Sequence, residues 1–407
     1  MNRLEKLIAD LCPDGVKYLT IPELFITRNG YTPSKANAKF WENGTIPWFR
    51  MEDIRENGRI LTKSTQYVSE KAIKGKLFPE DSIIIATSAT IGEHALIKVP
   101  SLANQRFTYL VLKDEFKSSV DMMFIFYYCF KLDEFCKTHL NQGNFASVDM
   151  KQFAEFKFPV PPLPVQREII RILDNFTELT AELTAELTAR RKQYEYYRDE
   201  LLKPKQDTPM VTLKAIATDI YRGSGIKRDQ VTEEGIACVR YGEIYTTYNT
   251  WFDECVSHTQ LEYVPNPKYF EHGDILFAIT GESIEDIAKS VAYVGHEKCL
   301  AGGDIVVLKH NQNPRYLAHV LATKAARNQK SKGKVKSKVV HSNVPSIERI
   351  TIPLPPLDVQ KRYADVLDNF EMICNDLTSG LPAEIEARKK QYEYYRDKLL
   401  TFQEAKI

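Results

Sequence analysis

The sequence lacks the short motifs that mark most nucleotide-binding and catalytic sites. It has no Gly-x-Gly-x-x-Gly, and Gly333-Lys334 is followed by Val335, so it has no Walker A motif. It has no Asn-Pro-Pro-aromatic or Asp-Pro-Pro-aromatic tetrapeptide, which an amino-methyltransferase would need. No His-x-x-x-His pair or cysteine-histidine cluster has the spacing of metal ligands. We therefore predict no catalytic residue, no cofactor and no metal in this chain, and we do not expect an enzyme.

Cysteine and net charge are also low. The seven cysteines are odd in number, scattered, and form no Cys-x-x-Cys pair, which argues against a disulfide framework and against a zinc ribbon. The net charge is +1, so any contact with nucleic acid has to come from local basic patches. We expect reduced, buried thiols.

Long apolar runs are missing too. The longest, Met122–Cys129 with Phe130 after it, is much too short to span a bilayer and predicts a buried helix. The first residues, Met1–Leu7, contain no apolar stretch behind a basic start, so no signal peptide is visible. We expect a soluble, cytoplasmic protein.

The sequence contains a duplication. Lys192–Asp199 recurs letter for letter at Lys390–Asp397. The Pro-Pro-Leu-x-x-Gln element from Pro161 and the Leu-Asp-Asn-Phe element from Leu173 both recur 194 residues later, whereas Lys192–Asp199 recurs after 198. The second copy therefore has four extra residues, about one helical turn. The chain reads as variable block, repeat, variable block, repeat.

Each repeat predicts a long helix. Val165–Leu202 contains neither proline nor glycine, and it encloses three Glu-Leu-Thr-Ala units between Glu178 and Ala189. Pro164 suits the first turn of that helix, which would span roughly 55 Å. In the second copy Asp358 is a candidate N-cap, and Gly380-Leu381-Pro382 predicts a break.

Each predicted helix has one narrow stripe of apolar residues, which is too exposed to be stable alone. We therefore predict that the two helices bury these stripes against each other as an antiparallel coiled-coil-like pair. The fold class would be α+β: two globular α/β domains joined by these two helices. The domains would be 1–158, first helix 159–204, 205–350, and second helix 351–407, broken near 380–382. A duplicated domain without any spacing role explains the repeats equally well.

The blocks themselves predict irregular, sheet-rich domains. Ser82–Ala86 reads as a core strand, and Ser82–Ile85 aligns with Gly273–Leu276 of the second block. Leu4, Leu7, Ile8 and Leu11 predict a short amphipathic helix, and a further helix is expected between Ser119 and Leu140.

Local basic patches are the candidate nucleic-acid contacts. No acidic residue occurs between Asp304 and Glu348, where lysines are interleaved with small polar residues that let a loop approach phosphates. A solubilising loop is the alternative there, and salt bridges or turn caps are alternatives for the weaker candidates. The DNA-binding candidates are Lys35, Asn37, Arg50, Arg55, Asn104, Gln105, Arg106, Arg222, Lys227, Arg228, Arg240, Tyr241, Lys324, Arg327, Lys330, Lys332, Lys334, Lys336 and Lys338.

With its repeats and two unlike blocks, the chain resembles the specificity subunit (HsdS) of type I restriction-modification systems, over essentially its whole length. The resemblance rests on the Pro-Pro-Leu-x-x-Gln, Leu-Asp-Asn-Phe and Gln-Tyr-Glu-Tyr-Tyr-Arg-Asp elements, and the tetrapeptide array is similar to the type IC branch. The runs Leu7–Gly15 and Thr32–Trp48 also resemble that family's first recognition domain.

The resemblance implies that each block reads one half of a split, asymmetric double-stranded DNA target. The helices would set the spacing and dock two methyltransferase (HsdM) subunits, and motor-nuclease (HsdR) subunits would join them. S-adenosylmethionine, ATP and Mg²⁺ would belong to those partners. The resemblance makes polar and aromatic side chains of the repeats candidates for partner binding: Gln166, Tyr194, Tyr197, Arg198, Gln360, Tyr392, Tyr395 and Arg396.

Two other functions stay open. One is a DNA-binding or scaffold protein without methyltransferase partners, which co-purification would distinguish. The other, a self-sufficient nuclease or methyltransferase, is disfavoured by the missing motifs.

Overall fold

The computed structural model describes residues 3–141, 146–332, 339–375 and 380–405. These residues form two compact units. Unit 1 combines Met1–Ala181 with Ala387–Ile407, and unit 2 is Glu182–Glu386. Each repeat therefore contributes one part to each unit.

Unit 1 is an α/β unit built on a five-stranded sheet. Its elements are α1 (Arg3–Leu11), β1 (Lys17–Thr20), α2 (Ile21–Leu24), β2 (Phe25–Asn29), β3 (Ile46–Phe49), α3 (Met51–Asn57), β4 (Ile60–Leu61), β5 (Tyr67–Val68), β6 (Ser82–Ala86), β7 (His94–Ile97), β8 (Leu102–Ala103), β9 (Phe107–Leu112), α4 (Met122–Thr138), α5 (Met150–Glu155), β10 (Lys157–Val160) and the first part of α6 (Leu163–Leu201). The five-stranded sheet has the order β2-β9-β6-β7-β4, β5-β3-β8 form a second sheet, and β1 pairs with β10.

Unit 2 repeats this plan. Its elements are the rest of α6, β11 (Met210–Thr212), α7 (Leu213–Ile216), β12 (Ala217–Arg222), β13 (Val231–Thr232), β14 (Ile236–Val239), α8 (Tyr241–Thr246), β15 (Trp251–Phe252), β16 (Ser257–Thr259), β17 (Tyr269–Phe270), β18 (Ile275–Ala278), β19 (Thr280–Gly281), β20 (Ser290–Tyr293), β21 (Cys299–Ala301), β22 (Ile305–His310), α9 (Pro314–Ala322), α10 (Lys324–Ser331), β23 (Val340–His341), α11 (Val344–Glu348), β24 (Thr351–Pro353), α12 (Leu357–Asn375) and the first part of α13 (Leu381–Leu399). Its sheets run β12-β22-β18-β20-β15 and β13-β16-β14-β21-β17, with β11 paired to β24 and β19 to β23.

The central strands β6 and β18 are buried on both faces. Along β6, Ile83 and Ile85 pack on the α4 side, whereas Ile84 and Ala86 pack into the other core of unit 1, because alternate side chains of a strand point to opposite faces. In unit 2, Ile275 packs with α9 in the same way.

The predicted alignment of the two blocks is wrong by one residue. Pairing with β9 and with β22 places Ile83 opposite Leu110 and Ile275 opposite Leu308, so Ile83 and not Ile84 is the equivalent of Ile275. A slip of one residue would exchange the two faces of the strand.

The repeat helices are present, with differences at their ends. The helix α6 begins at Leu163 with Pro164 in its first turn, and α13 begins at Leu381 followed by Pro382. Asp358 is not an N-cap: it lies in the first turn of α12, where it accepts a hydrogen bond from Arg362 at 3.1 Å. Residues 376–379, next to the predicted break, lie outside the described ranges.

The two repeats pack against each other within each unit. In unit 1 the Phe176 and Tyr395 rings stack with centroids 5.6 Å apart. In unit 2 Arg191 donates to the carbonyl of Cys374, and Tyr197 lies 6.5 Å from Phe370, so α6 and α12 run antiparallel there. The predicted antiparallel helix packing and mixed α/β fold are confirmed.

Candidate functional site

The glutamine of each Pro-Pro-Leu-x-x-Gln element serves the fold. Gln166 is buried, accepts from the backbone N–H of Asp121 at 2.8 Å, and donates to the carbonyl oxygens of Ser119 and Pro161. Gln360 is buried as well; it accepts from the N–H of Asn313 at 3.0 Å and donates to the carbonyl of Pro355. Each glutamine ties the start of a repeat helix to the start of the block's own helix, α4 or α9, so partner binding is not expected of either side chain.

The aspartate of each Leu-Asp-Asn-Phe element makes the next contact along the same helices. Asp174 accepts from the Tyr127 hydroxyl at 2.5 Å. In unit 2 Asp368 contacts His319 Nε2 at 2.8 Å, accepts from Trp251 Nε1 at 2.9 Å and pairs with Arg315. Burial raises the pKa of Asp368, but the hydrogen bonds and charges of these three neighbours outweigh it and hold that pKa below its usual value.

One group in the described ranges has metal-ligand chemistry: His319, Asp368 and Glu371, whose ligand atoms lie within 4.8 Å of one another. Both carboxylate oxygens of Asp368 already accept from protein donors, and Thr250 donates to Glu371 Oε1 at 2.6 Å. These contacts join α9, α12 and the Thr250-Trp251 segment in one hydrogen-bond network.

The Gln-Tyr-Glu-Tyr-Tyr-Arg-Asp elements are half buried and half exposed. Tyr194 is buried with its hydroxyl 3.1 Å from His319 Nδ1, and the buried Arg198 pairs with Asp199 at 2.9 Å. In unit 1 Tyr392 packs on the core, and the Arg396 guanidinium lies 4.5 Å from the centre of the Phe130 ring. We therefore no longer expect these four side chains to bind a partner.

The exposed faces of the same elements remain candidates for partner binding. Tyr197 and Tyr395 are 48% and 37% exposed. Tyr196 and Tyr394, which are not among the predicted partner contacts, are more exposed still, at 62% each. The signal that could have found them is the alternation of buried and exposed positions along the helix.

The described basic residues of the lysine-rich run, Lys324, Arg327, Lys330 and Lys332, differ in their surroundings. Lys330 is buried: its ammonium donates to Ser290 Oγ at 3.1 Å and to the carbonyl of Leu321 at 2.9 Å, and burial lowers its pKa to about 7. The prediction that Lys330 binds DNA is wrong. Arg327 lies 3.7 Å from Glu195 on α6, and the backbone N–H of Lys324 donates to Asp199. Lys332 is exposed, and Lys334, Lys336 and Lys338 lie outside the described residues.

In unit 2 the structure gathers four of the predicted DNA contacts around one cleft of about 730 Å³. Arg222, Arg228, Arg240 and Tyr241 line it, together with the backbone of Gly302-Gly303. Lys227 is exposed on the same loop as Arg228. The cleft is thus bordered by three guanidinium groups and a phenol, side chains that donate to base edges and phosphates.

Three backbone segments meet to form this cleft. Gly302 N–H donates to the carbonyl of Val239 at 2.8 Å, and Ser224 N–H donates to that of Ala301 at 2.9 Å. A Cβ at Gly223 would lie 2.3 Å from the Gly302 oxygen, so the close approach of these segments requires glycine. Arg222 pairs with Asp304 at 2.6 Å beside them.

Unit 1 builds the corresponding place from different side chains. Asn104 N–H donates to the carbonyl of Phe49 at 3.0 Å, next to Arg50, and a Cβ at Gly30 would lie 2.2 Å from the Asn104 oxygen. Gln105 is exposed and accepts from the Thr32 hydroxyl. Asn104, Gln105 and Arg50 therefore come together where unit 2 has Gly302, Gly303 and Arg240.

The other candidates of unit 1 lie near this place or on open surface. Asn37 caps a short 3-10 helix by accepting from the N–H of Lys39 at 3.3 Å, and Lys35 is exposed on the same loop. Arg106 is exposed beside Gln105, and its N–H donates to Asn104 Oδ1 at 3.0 Å. Arg55 is exposed on α3. Unit 1 thus offers amide and guanidinium groups where unit 2 offers an open, glycine-walled cleft.

The repeated plan, with an arginine-bearing polar site at the equivalent place of each unit, defines a class: a two-unit recognition protein whose units share duplicated helices. The family model described as "Type I restriction modification DNA specificity domain" matches residues 13–190 and 218–387. The chain belongs to this family.

Several known proteins are similar. The EcoprrI specificity subunit of Escherichia coli is 57% identical over 221 residues, which are 51% of this chain and 54% of that subunit. The EcoR124I/EcoR124II specificity subunit of Escherichia coli is 30% identical over 286 residues, 64% of this chain and 68% of that protein. The match to the first of these relatives thus spans about half of its length.

A solved structure shares the fold. A chain from a study of complex assembly and conformational transition of the type I R-M system superposes with a TM-score of 0.65 at 16% identity, over 96% of this chain and 98% of that chain. No helix in the described part of the present chain is long and apolar enough to cross a membrane.

Proposed function

We propose that the chain is the DNA-specificity subunit of a type I restriction-modification complex, in which unit 1 and unit 2 each read one half of a bipartite, asymmetric DNA target. The observation that carries the proposal is the occurrence, at equivalent places of two similar units, of an arginine-bearing site lined by different side chains. Equivalent positions give two recognition surfaces, and different linings give two different half-sites.

The chain itself would be non-catalytic and cytoplasmic. The sequence contains no motif for binding a nucleotide or S-adenosylmethionine. Methyl transfer from S-adenosylmethionine, and translocation and cleavage with ATP and Mg²⁺, would be supplied by two methyltransferase subunits and by motor-nuclease subunits.

The exposed faces of the repeat helices are the proposed docking surface for the methyltransferase subunits. Tyr196 and Tyr197 on α6, and Tyr394 and Tyr395 on α13, present the same pair of aromatic side chains in unit 2 and in unit 1. Tyrosine is enriched at protein interfaces because its ring buries area while its hydroxyl keeps a hydrogen bond. Two equivalent surfaces would accept two copies of one partner.

The test is to co-express the chain with its methyltransferase partner and map methylated adenines across a genome. A split motif with two defined halves supports the proposal. A contiguous motif, or no methylation despite a stable complex, contradicts it. A chain that binds DNA but co-purifies with no methyltransferase would point instead to a stand-alone DNA-binding or scaffold protein.

A further inference from the structure

The equivalent arginines of the two units, Arg240 beside the cleft of unit 2 and Arg50 in unit 1, are surrounded by similar clusters of groups. In unit 2 Arg240 precedes α8, and the buried Glu243, three residues on, accepts from the Arg240 backbone N–H at 3.0 Å. In unit 1 Arg50 precedes α3, and the buried Asp53 accepts from the Arg50 N–H at 2.7 Å. A serine joins each carboxylate: Ser257 Oγ donates to Glu243 at 2.7 Å.

The serine of unit 1 makes the same contact. Ser64 Oγ donates to Asp53 Oδ1 at 3.1 Å, and the N–H of Thr65 donates to the same oxygen at 2.6 Å. The two clusters therefore combine one arginine, one buried carboxylate and one serine at equivalent places, although the surrounding sequences differ.

The carboxylates differ in reach. Glu243 Oε1 extends to the Arg240 guanidinium, with Nε at 2.9 Å and Nη2 at 2.8 Å. Asp53 is one methylene shorter and both its oxygens are occupied by Arg50 N–H, Ser64 and Thr65, so the Arg50 guanidinium turns to Thr65 Oγ1 instead, at 3.2 Å. The Arg240 guanidinium is consequently held by the buried carboxylate of its own cluster. The Arg50 guanidinium is held instead by the neutral Thr65 hydroxyl, with Glu52 at 3.8 Å from its Nε and the centre of the Trp48 ring at 5.8 Å.

Two of the five guanidinium N–H donors of Arg240 are used by Glu243. The remaining three are on Nη1 and Nη2, the pair of nitrogens that can address O6 and N7 of a guanine together. The guanidinium borders the open cleft at the same time. Glu243 contacts the Nε side of the Arg240 guanidinium. The direction of the guanidinium is thereby fixed, while its Nη1 end can still donate to a base.

We infer that Glu243 and Asp53 are positioning residues for base reading. Glu243 directs the Arg240 guanidinium, which reads a guanine in one half-site. Asp53 acts on Arg50 through the backbone, by holding the N–H groups of Arg50 and Thr65 in place. This inference rests on the proposed function, since it needs a bipartite DNA target. Beyond that function, it assigns Glu243 to the half-site read by unit 2 and Asp53 to the half-site read by unit 1.

The decisive variant is Glu243→Asp in the chain co-expressed with the methyltransferase partner. The shorter carboxylate keeps its charge and can still cap the Arg240 N–H, as Asp53 does, but it no longer reaches the guanidinium. We expect methylation at sites with one changed base in a single half of the motif to rise about tenfold or more relative to the intact site. The base specificity in the other half of the motif should be unchanged.

Two further variants complete the design. Arg240→Lys should relax the same base, and adding Glu243→Asp to it should change nothing more, because the two side chains act as one unit. Asp53→Asn should relax the opposite half only, since every group that contacts Asp53 is a donor and the amide N–H₂ cannot accept from one. The matched controls are Glu254→Asp and Glu56→Gln, exposed carboxylates of units 2 and 1.

The outcomes separate cleanly. If the wild-type complex yields no split motif, the proposed function fails. If it yields one and Glu243→Asp, at unchanged thermal stability, keeps every base, the inference fails while the function stands. Relaxation of both halves by one substitution, or additive effects of Glu243→Asp and Arg240→Lys, also overturns the inference. If Glu243→Asp does not fold, Arg240→Lys, which leaves the cap and Ser257 contact in place, must still relax one half.

Discussion

At the scale of single residues, buried polar side chains decide which parts of the duplicated elements face inward. Gln166 and Gln360 make nearly the same three contacts in different units, and Asp174 and Asp368 accept from side chains of α4 and α9. Buried polar groups have to be paired, because leaving one unpaired costs about 1–3 kcal/mol. The identity of these residues in both copies follows from packing against the unit's own helix.

Replacing Gln166 should therefore destabilise the protein. Gln166→Ala leaves the Asp121 N–H and the carbonyl oxygens of Ser119 and Pro161 without their partner, and we expect a loss of about 2 kcal/mol in the free energy of unfolding. Urea unfolding followed by circular dichroism measures it. Arg167→Ala, at the exposed next position of α6, is the control; equal stability of the two variants would argue against the role.

Lys330 should make stability depend on pH in an unusual direction. Its pKa is about 7 in the folded chain and about 10.4 when unfolded, so from pH 7 to 10 the folded state has lost a proton that the unfolded state keeps. Stability contributed by this group therefore rises with pH, by up to about 1.4 kcal/mol per pH unit. Relative to Lys330→Met, the wild type should gain stability between pH 7 and pH 9 in urea unfolding. A difference that does not change with pH would show that Lys330 keeps an ordinary pKa.

At the scale of elements, the repeat helix α6 is continuous through its tetrapeptide array. Leu179 is 45% exposed, Leu183 and Leu187 are half-buried, and Thr188 donates back to the carbonyl of Thr184 at 2.9 Å. These leucines are less buried than Ile169 and Leu173, which are fully buried earlier on α6. The sequence of the array thus specifies a helix more than a packed surface.

A change in the number of tetrapeptides should change the DNA target in length alone. One Glu-Leu-Thr-Ala tetrapeptide adds or removes about 6 Å of helix, whereas one base step along a DNA strand is 3.4 Å. We expect complexes of variants with one tetrapeptide more or fewer to methylate sites whose two half-site sequences are unchanged. The spacing between the half-sites should differ by one or two base pairs. Mapping of methylated adenines decides this; unchanged spacing in both variants would refute a spacing role of α6.

Periodic patterns predicted the helices well, whereas charge patterns did not distinguish a buried lysine from a lysine at the surface. The apolar run at Met122–Cys129 and the duplicated stripes could be assigned because burial repeats with the helical period. The position of Lys330 could not, since a lysine in a basic run looks the same whether its ammonium faces water or Ser290. The roles of Asp53 and Glu243 depend on serines from other segments, Ser64 in the loop after β4 and Ser257 on β16, which local sequence does not reveal.

At the scale of the whole molecule, unit 1 is closed by two distant parts of the chain. Tyr18 donates to the carbonyl of Phe402 at 3.1 Å, Val16 N–H donates to Gln403 and Ala405 N–H donates back to Val16, each at 2.9 Å. Lys157 pairs with Glu404 at 3.0 Å. Leu399 and Leu400 pack on the unit 1 core.

Truncation after Glu386 should therefore damage the unit formed by the early residues. We expect amide hydrogen exchange to speed up throughout residues 3–181, because the truncated chain loses Tyr392, Leu400 and the Val16 pairing. Protection in residues 182–375 should remain near that of the intact chain and serves as the internal control. Loss of protection confined to unit 2 would contradict the division into units.

The same closure has a consequence for biosynthesis. All of unit 2 lies between Glu182 and Glu386, so a ribosome has released its sequence before the residues that complete unit 1 have been made. During translation the first 181 residues therefore remain without the last helix, and the part of their core that Leu400 covers stays exposed until that helix has been synthesised. The part of the chain that is synthesised first is the part whose fold is finished last.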